Sequence, residues 1–159
     1  MRRKQTLLLT TLILAGCGGS SAPKAHIVAG SGFRFEAPVG WKVERTSRQV
    51  SATHGSDLVQ VATFPLLKPY RPALFARVAT ELATRMDQVA KQVSGTVSGS
   101  RTVNPAGIRS HSYDVRAGDA VDQYTFVLRG LREYLLLCRR RSSGSGAACR
   151  QLITGFAFR

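Results

Sequence analysis

Acidic residues are scarce in this chain: 9 Asp and Glu stand against 23 Lys and Arg, a formal charge of +14 over 159 residues. Histidine and cysteine number only 3 each. His26, His54 and His111 show no ligand spacing to one another or to the cysteines, which argues against a metal site. No acid, base and nucleophile form a recognisable constellation, so an enzyme, for instance a hydrolase, is disfavoured and no cofactor is implied. No internal repeat is present, and no apolar run is long enough to cross a ~30 Å hydrocarbon core as a helix. What remains is ordinary globular material. Apolar residues make up 43%, and the length suits one domain with a real core rather than two.

The positive excess is carried by 18 Arg and 5 Lys. Nucleic acid is one partner for such a balance, but no helix-turn-helix, zinc spacing or aromatic-basic RNP-like strand accompanies it. An anionic envelope, whether phospholipid headgroups or acidic polymers, suits it equally. The base composition of the gene alone would also produce an arginine bias.

The first 16 residues read as an export signal. Arg2, Arg3 and Lys4 form a positive n-region, and "LLLTTLILA" (7–15) an apolar h-region of about nine residues, too short to span. Leu14-Ala15-Gly16-Cys17 resembles the bacterial lipobox, in which the cysteine thiol takes a diacylglyceryl group and the preceding bond is cut. Residues 1–16 are then removed, Cys17 becomes the lipidated first residue, and the charge falls to about +11. Two acyl chains would anchor the protein stably on the extracytoplasmic face of the cell membrane. Residues 17–30 are expected to be the lipidated cysteine and a flexible tether, with "GGSSAPKA" (18–25) unfolded and the domain covering 31–159.

Within the domain, "GFRFEAPVGWKVER" (32–45) alternates at period two and predicts a strand, a turn and a strand. Ala37-Pro38-Val39-Gly40 fits a type I turn, with proline at its second position and glycine at its fourth. Residues 49–65 predict two strands around "HGSD". Residues 71–95 predict a helix, with Phe75, Val78, Ala79, Leu82, Met86, Val89, Ala90 and Val93 on one stripe. Pro72 suits its first position and Gly95 the position past its end, and Glu81–Arg85 and Asp87–Lys91 are expected as ion pairs on its wet face. Strands follow at 101–117, around Asn104–Gly107, and at 122–140, around Arg129–Arg132; a short helix ends near Gly155. No strand–helix–strand alternation appears, so the class is α+β with an antiparallel sheet.

"GFRFEAPVGW", "VATFPLLKPYRP", the long helix, "AGIRSHSYDV", "YTFVLRG", "REYLLLCR" and "ACRQLITGFAF", taken in this order over 31–158, resemble bacterial PsbP/Mog-like lipoproteins. The resemblance implies an α/β/α sandwich on a central, mostly antiparallel, twisted sheet. Its best-known relatives bind or assemble, one with the photosynthetic oxygen-evolving complex and one with the Ran GTPase. It offers no catalytic residues to carry over, and an exported lipoprotein inherits neither partner.

Four local patterns carry the remaining expectations. With Cys17 given to lipid, Cys138 and Cys149 are expected to form a disulfide in an exported domain. "HGSD" (54–57) is a turn rather than a catalytic triad, because a triad is assembled from separated elements. "SSGSGAAC" (142–149) is a loop, having neither the lysine nor the βα unit of a phosphate-binding one. Arg139, Arg140 and Arg141 are the densest charge: either a patch for an anionic partner or a solvated strand end. The first reading is thus a non-enzymatic, lipid-anchored module that binds another envelope protein or an anionic envelope component. The second is a carrier or sensor of a small apolar ligand, held in a cavity between the helix and the sheet.

Overall fold

The computed structural model describes residues 24–159, so Cys17 and the signal lie outside the described residues. The first strand, β1 (Ala25–Gly30), already falls within the segment expected to be a tether. It pairs antiparallel with β2 (Phe33–Pro38), and Val28 is fully buried. A single apolar residue facing the core, together with the ladder to β2, orders a stretch whose composition shows little else. The fold therefore takes in residues 25–30, ahead of the start expected at residue 31.

Phe33 and Phe35, two apart, point to the same face of β2 and are both buried. Each contributes roughly 2–3 kcal/mol by leaving water. The chain then turns from Pro38 to Trp41, whose N–H donates to the Pro38 carbonyl at 3.4 Å. Gly40 sits at the third position with φ 86°, so the type I turn expected one residue earlier gives way to a type II geometry that glycine alone adopts readily.

Next come β3 (Lys42–Arg45), β4 (Gln49–His54) and β5 (Asp57–Pro65). A 3₁₀ turn (Pro72–Leu74) leads into α1 (Phe75–Gln92). Then follow β6 (Thr96–Val103), β7 (Ser110–Ala117), β8 (Ala120–Arg129), β9 (Arg132–Arg141), α2 (Ala147–Gly155) and the two-residue β10 (Ala157–Phe158). The large sheet has seven strands in the order β3-β4-β5-β9-β8-β7-β6, and each neighbouring pair in it is antiparallel. A small sheet, β1-β2-β10, stands apart, so the two strands on either side of the Pro38 turn belong to different sheets.

The large sheet buries both faces. On one, Val59, Val61, Leu136 and Cys138 pack with Phe33 and Phe35 of the small sheet and with Cys149, Leu152 and Phe156 of α2. On the other, Tyr113, Val115 and Phe126 receive Leu82, Met86 and Ala90 of α1. This is an α+β fold with helices on opposite sides of a mostly antiparallel sheet. Along Leu82–Ala90 the space between α1 and the sheet is filled by these side chains, while beside Phe75, at the start of α1, a cleft stays open.

Two details of α1 differ from expectation. The left-handed position after its end is taken by Ser94, at φ 53°, while the Gly95 N–H donates to the Ala90 carbonyl at 2.7 Å. Gly95 serves close approach instead: a Cβ there would collide with the Arg116 carbonyl oxygen. The ion pairs also redistribute. Glu81 meets Arg77 at 3.7 Å, and Arg85 leaves the wet face to reach Glu133 on β9 at 3.3 Å and lie over Phe126 at 5.4 Å. Asp87 and Lys91 form no ion pair among the described residues.

Candidate functional site

Alternation along β9 separates the three consecutive arginines. Arg139 turns to Asp122 on β8 and donates two hydrogen bonds of 2.7 Å to its carboxylate. Arg140 points the other way, donating to the carbonyls of Arg141 and Ser142 at 3.2 and 3.5 Å. Arg141 alone stays exposed without such a partner. Arg139 and Arg141, two apart, share a face while Arg140 takes the other, and all three border one open cavity of about 240 Å³ together with Asp119. A disulfide joins Cys138 to Cys149 and ties β9 to α2. "HGSD" closes the β4–β5 hairpin, with His54 paired to Asp57 across the loop Gly55-Ser56, and the His54 ring stacks on Trp41 at 6.1 Å.

The carboxylates set into the sheet are likewise held by guanidinium groups: Asp122 by Arg139, Glu133 by Arg85, and Asp114 by both terminal nitrogens of Arg101 at 2.9 and 3.1 Å. Among the described residues, no group of His, Cys, Asp and Glu has the arrangement to hold a metal, and no helix is long and apolar enough to cross a membrane.

The arginines without acids gather elsewhere. The β8–β9 hairpin turns through Gly130 and Leu131, with Gly130 at φ 55° in the first loop position, where such two-residue turns favour glycine. Residues 66–70 wrap this tip: the Leu66 N–H donates to the Leu131 carbonyl and the Tyr70 N–H to that of Gly130, both at 2.8 Å. Arg48 and Arg132 meet Phe64 and Leu131 in an open cavity of about 590 Å³. Phe64, Leu67, Leu74 and Leu131 are exposed, Leu67 completely. Lys68 and Arg71 lie on the wrapping segment. Over residues 45–49, 64–75, 105–111 and 128–134 the only acid is Glu133, which is already bound by Arg85. The Gly130 end of the sheet is therefore basic and partly apolar.

Beside the tip lies a second cleft of about 410 Å³, walled by Tyr70 and Phe75, by Ile108 and Arg109, and by Leu128 and Arg129. Three planar groups stack at its edge. Arg109 lies 4.1 Å over the Phe75 ring and His111 lies 3.8 Å from it, so together they occupy both faces. The His111 Nε2 is 2.9 Å from the Phe75 carbonyl oxygen, which fixes the histidine across the start of α1. Arg129 lies 4.3 Å over Phe158. Stacking holds both guanidinium groups while leaving their N–H edges available, and neither is ion-paired among the described residues. Burial pushes the Tyr70 phenol above its ordinary range, and the nearby Arg109 opposes that shift.

None of this cleft was marked in the sequence. Phe75 reads there as one more residue of a helical stripe, and Arg109 and Arg129 as two of many scattered arginines. Only the absence of acids over these four short segments is a signal that inspection of the sequence could have used.

Compared with models of protein families and with curated proteins, the sequence finds no match. Among solved structures, the chain is similar to cyanobacterial PsbP (CyanoP) from Synechocystis sp. PCC 6803, with a TM-score of 0.62 at 12% identity, covering 92% of this chain and 99% of that one. A weaker likeness, TM-score 0.47 at 11% identity, links it to a protein from Bacteroides thetaiotaomicron VPI-5482, over 87% of this chain and 49% of that one. The fold is PsbP-like.

Proposed function

We propose that this chain is a lipid-anchored, non-enzymatic interaction module on the extracytoplasmic face of a bacterial cell membrane, and that it binds another envelope protein through the Gly130 end of its sheet. The observation that carries the reading is the concentration of unpaired cations and exposed apolar side chains at that one end. The n-region, h-region and lipobox support export and acylation at Cys17.

The placement of the chain's entry supports the partner's side. Lys24 accepts a 2.8 Å hydrogen bond from Val39 and sits by the Pro38 turn, close to Trp41 and His54. That is the end of the sheet carrying the Gly118 turn and Arg139–Arg141, opposite Gly130. Six residues separate Cys17 from Lys24, a reach of about 20–25 Å. The ten-residue strands β8 and β9 then place the basic end about 30 Å further from the anchored one. Its natural contact is a partner standing above the bilayer.

Two measurements test the reading. Cys17→Ser is expected to abolish fatty-acid labelling, and normal labelling of that variant would refute the anchor. A photo-crosslinker at Leu67 or Leu131 in intact cells should give adducts that vanish with Arg48→Glu/Arg132→Glu. A crosslinker at Ser56, on the opposite end, should give none of these adducts. Adducts from both ends alike, or adducts indifferent to charge reversal, would refute the assigned surface.

A further inference from the structure

We infer that the cleft between Tyr70–Phe75, Ile108–Arg109 and Leu128–Arg129 receives an aromatic or large apolar side chain from an acidic segment of the partner protein; this rests on the interaction reading above. The cleft is lined by apolar and cationic side chains together. Ile108 and Leu128, with Tyr70 and Pro72 beside them, offer apolar surface, and the volume of about 410 Å³ exceeds what one aromatic side chain fills. Arg109 and Arg129 also line the cleft, each stacked on an aromatic ring and neither ion-paired among the described residues.

Charge complementarity names the occupant. The surrounding segments carry Arg48, Lys68, Arg71 and Arg132, and their single acid is engaged by Arg85. A neutral apolar peptide would leave this field unanswered, and a purely acidic one would leave the cleft empty. An acidic segment with one apolar anchor answers both. Arg109 and Arg129 can each offer paired N–H donors to a carboxylate flanking the anchor, a geometry that lysine cannot reproduce. Because stacking has already ordered these two side chains, less entropy is lost when the segment binds.

The test uses the full-length protein in neutral detergent and two labelled synthetic peptides, eight residues of Asp and Glu with a central Phe or a central Ala. The Phe peptide is expected to bind at least tenfold more tightly than the Ala peptide, with both weakened by salt. Ile108→Glu should remove the preference, and so should Arg109→Gln/Arg129→Gln, which leaves the core untouched if the first variant folds poorly. Arg48→Gln/Arg132→Gln should weaken both peptides alike and keep the preference. Equal binding of the two peptides would overturn the cleft assignment while leaving the basic end as an interaction surface. Binding of neither peptide, together with charge-independent crosslinks in cells, would overturn both. Displacement of the Phe peptide by vesicles containing phosphatidylglycerol, but not by neutral vesicles, would make the bilayer the occupant and overturn the inference.

Discussion

Replacing both bridged cysteines by alanine removes the covalent tie between β9 and α2 without leaving a free thiol. Cys138 and Cys149 are 11 residues apart, and closing a loop of that size restricts the unfolded chain by about 3 kcal/mol in the chain-entropy account. Both cysteines are buried within the cluster formed by Leu136, Leu152 and Phe156, so their loss also leaves small voids beside well-packed side chains. The total should reach about 3–4 kcal/mol, a large share of the stability of a domain this size. Urea unfolding of the double variant should show a lower midpoint than the oxidised parent and a somewhat steeper slope, because the uncrosslinked chain unfolds to a more expanded state, and the thermal midpoint should fall by roughly 10 °C. Hydrogen exchange supplies a local readout: amides of Cys149–Gly155 should lose more protection than those of β8, because the bridge joins α2 directly to β9. A loss below about 1 kcal/mol would refute the reasoning, since the 142–146 loop would then restrict the unfolded chain by itself.

Three further outcomes follow from packing and charge. Gly95→Ala should cost about 2–3 kcal/mol in chemical unfolding because its Cβ meets backbone at Arg116, whereas Gly99→Ala, with only ordinary contacts to Asp114, should stay within about 0.5 kcal/mol of the parent. Arg139→Ala should destabilise by about 1–2 kcal/mol by stranding the mostly buried Asp122 carboxylate, while Arg141→Ala should be near neutral; equal effects would mean that the β8–β9 pair is not structural. Burial raises the phenols of Tyr70, Tyr113 and Tyr124 above 10.0, so the folded state holds its protons where the unfolded state gives them up. Their contribution is full below pH 10 and is lost as pH rises through the raised folded values, so thermal midpoints should fall above pH 10 but stay level from 8 to 9 as far as these groups decide.

The elements that were legible are those with dense local patterns. The α1 stripe from Val78 to Ala90 and the strands around Gly130 carry their own periodicity, and the small number of cysteines left little choice of bridge. What was not legible depends on pairing at a distance. β1 is ordered by Val28 meeting a core that lies elsewhere in the chain, and nothing in "AHIVAG" announces that neighbour. Arg139 looked like part of a charged run because its partner Asp122 is 17 residues away on the adjoining strand. The Arg109–Phe75–His111 stack joins a helix start to a strand start across more than thirty residues, and single-sequence periodicity carries no information about such meetings.

The margins of the seven-stranded sheet have a consequence at the crowding that the proposed membrane anchor would impose. β3, at one margin, is only four residues long and carries Lys42, Glu44 and Arg45; β6, at the other, breaks its register between Val97 and Gly99 and bears Arg101. Short length, charge and a bulge each spoil a strand as a template for another chain's backbone. Molecules confined to two dimensions, as the proposed acyl anchor would confine these, meet one another far more often than the same molecules in bulk solution. A sheet with long, flat, apolar borders would zip with its neighbours there and grow into aggregates. With both borders made unfit for such growth, a dense lawn of this protein can remain a population of separate molecules.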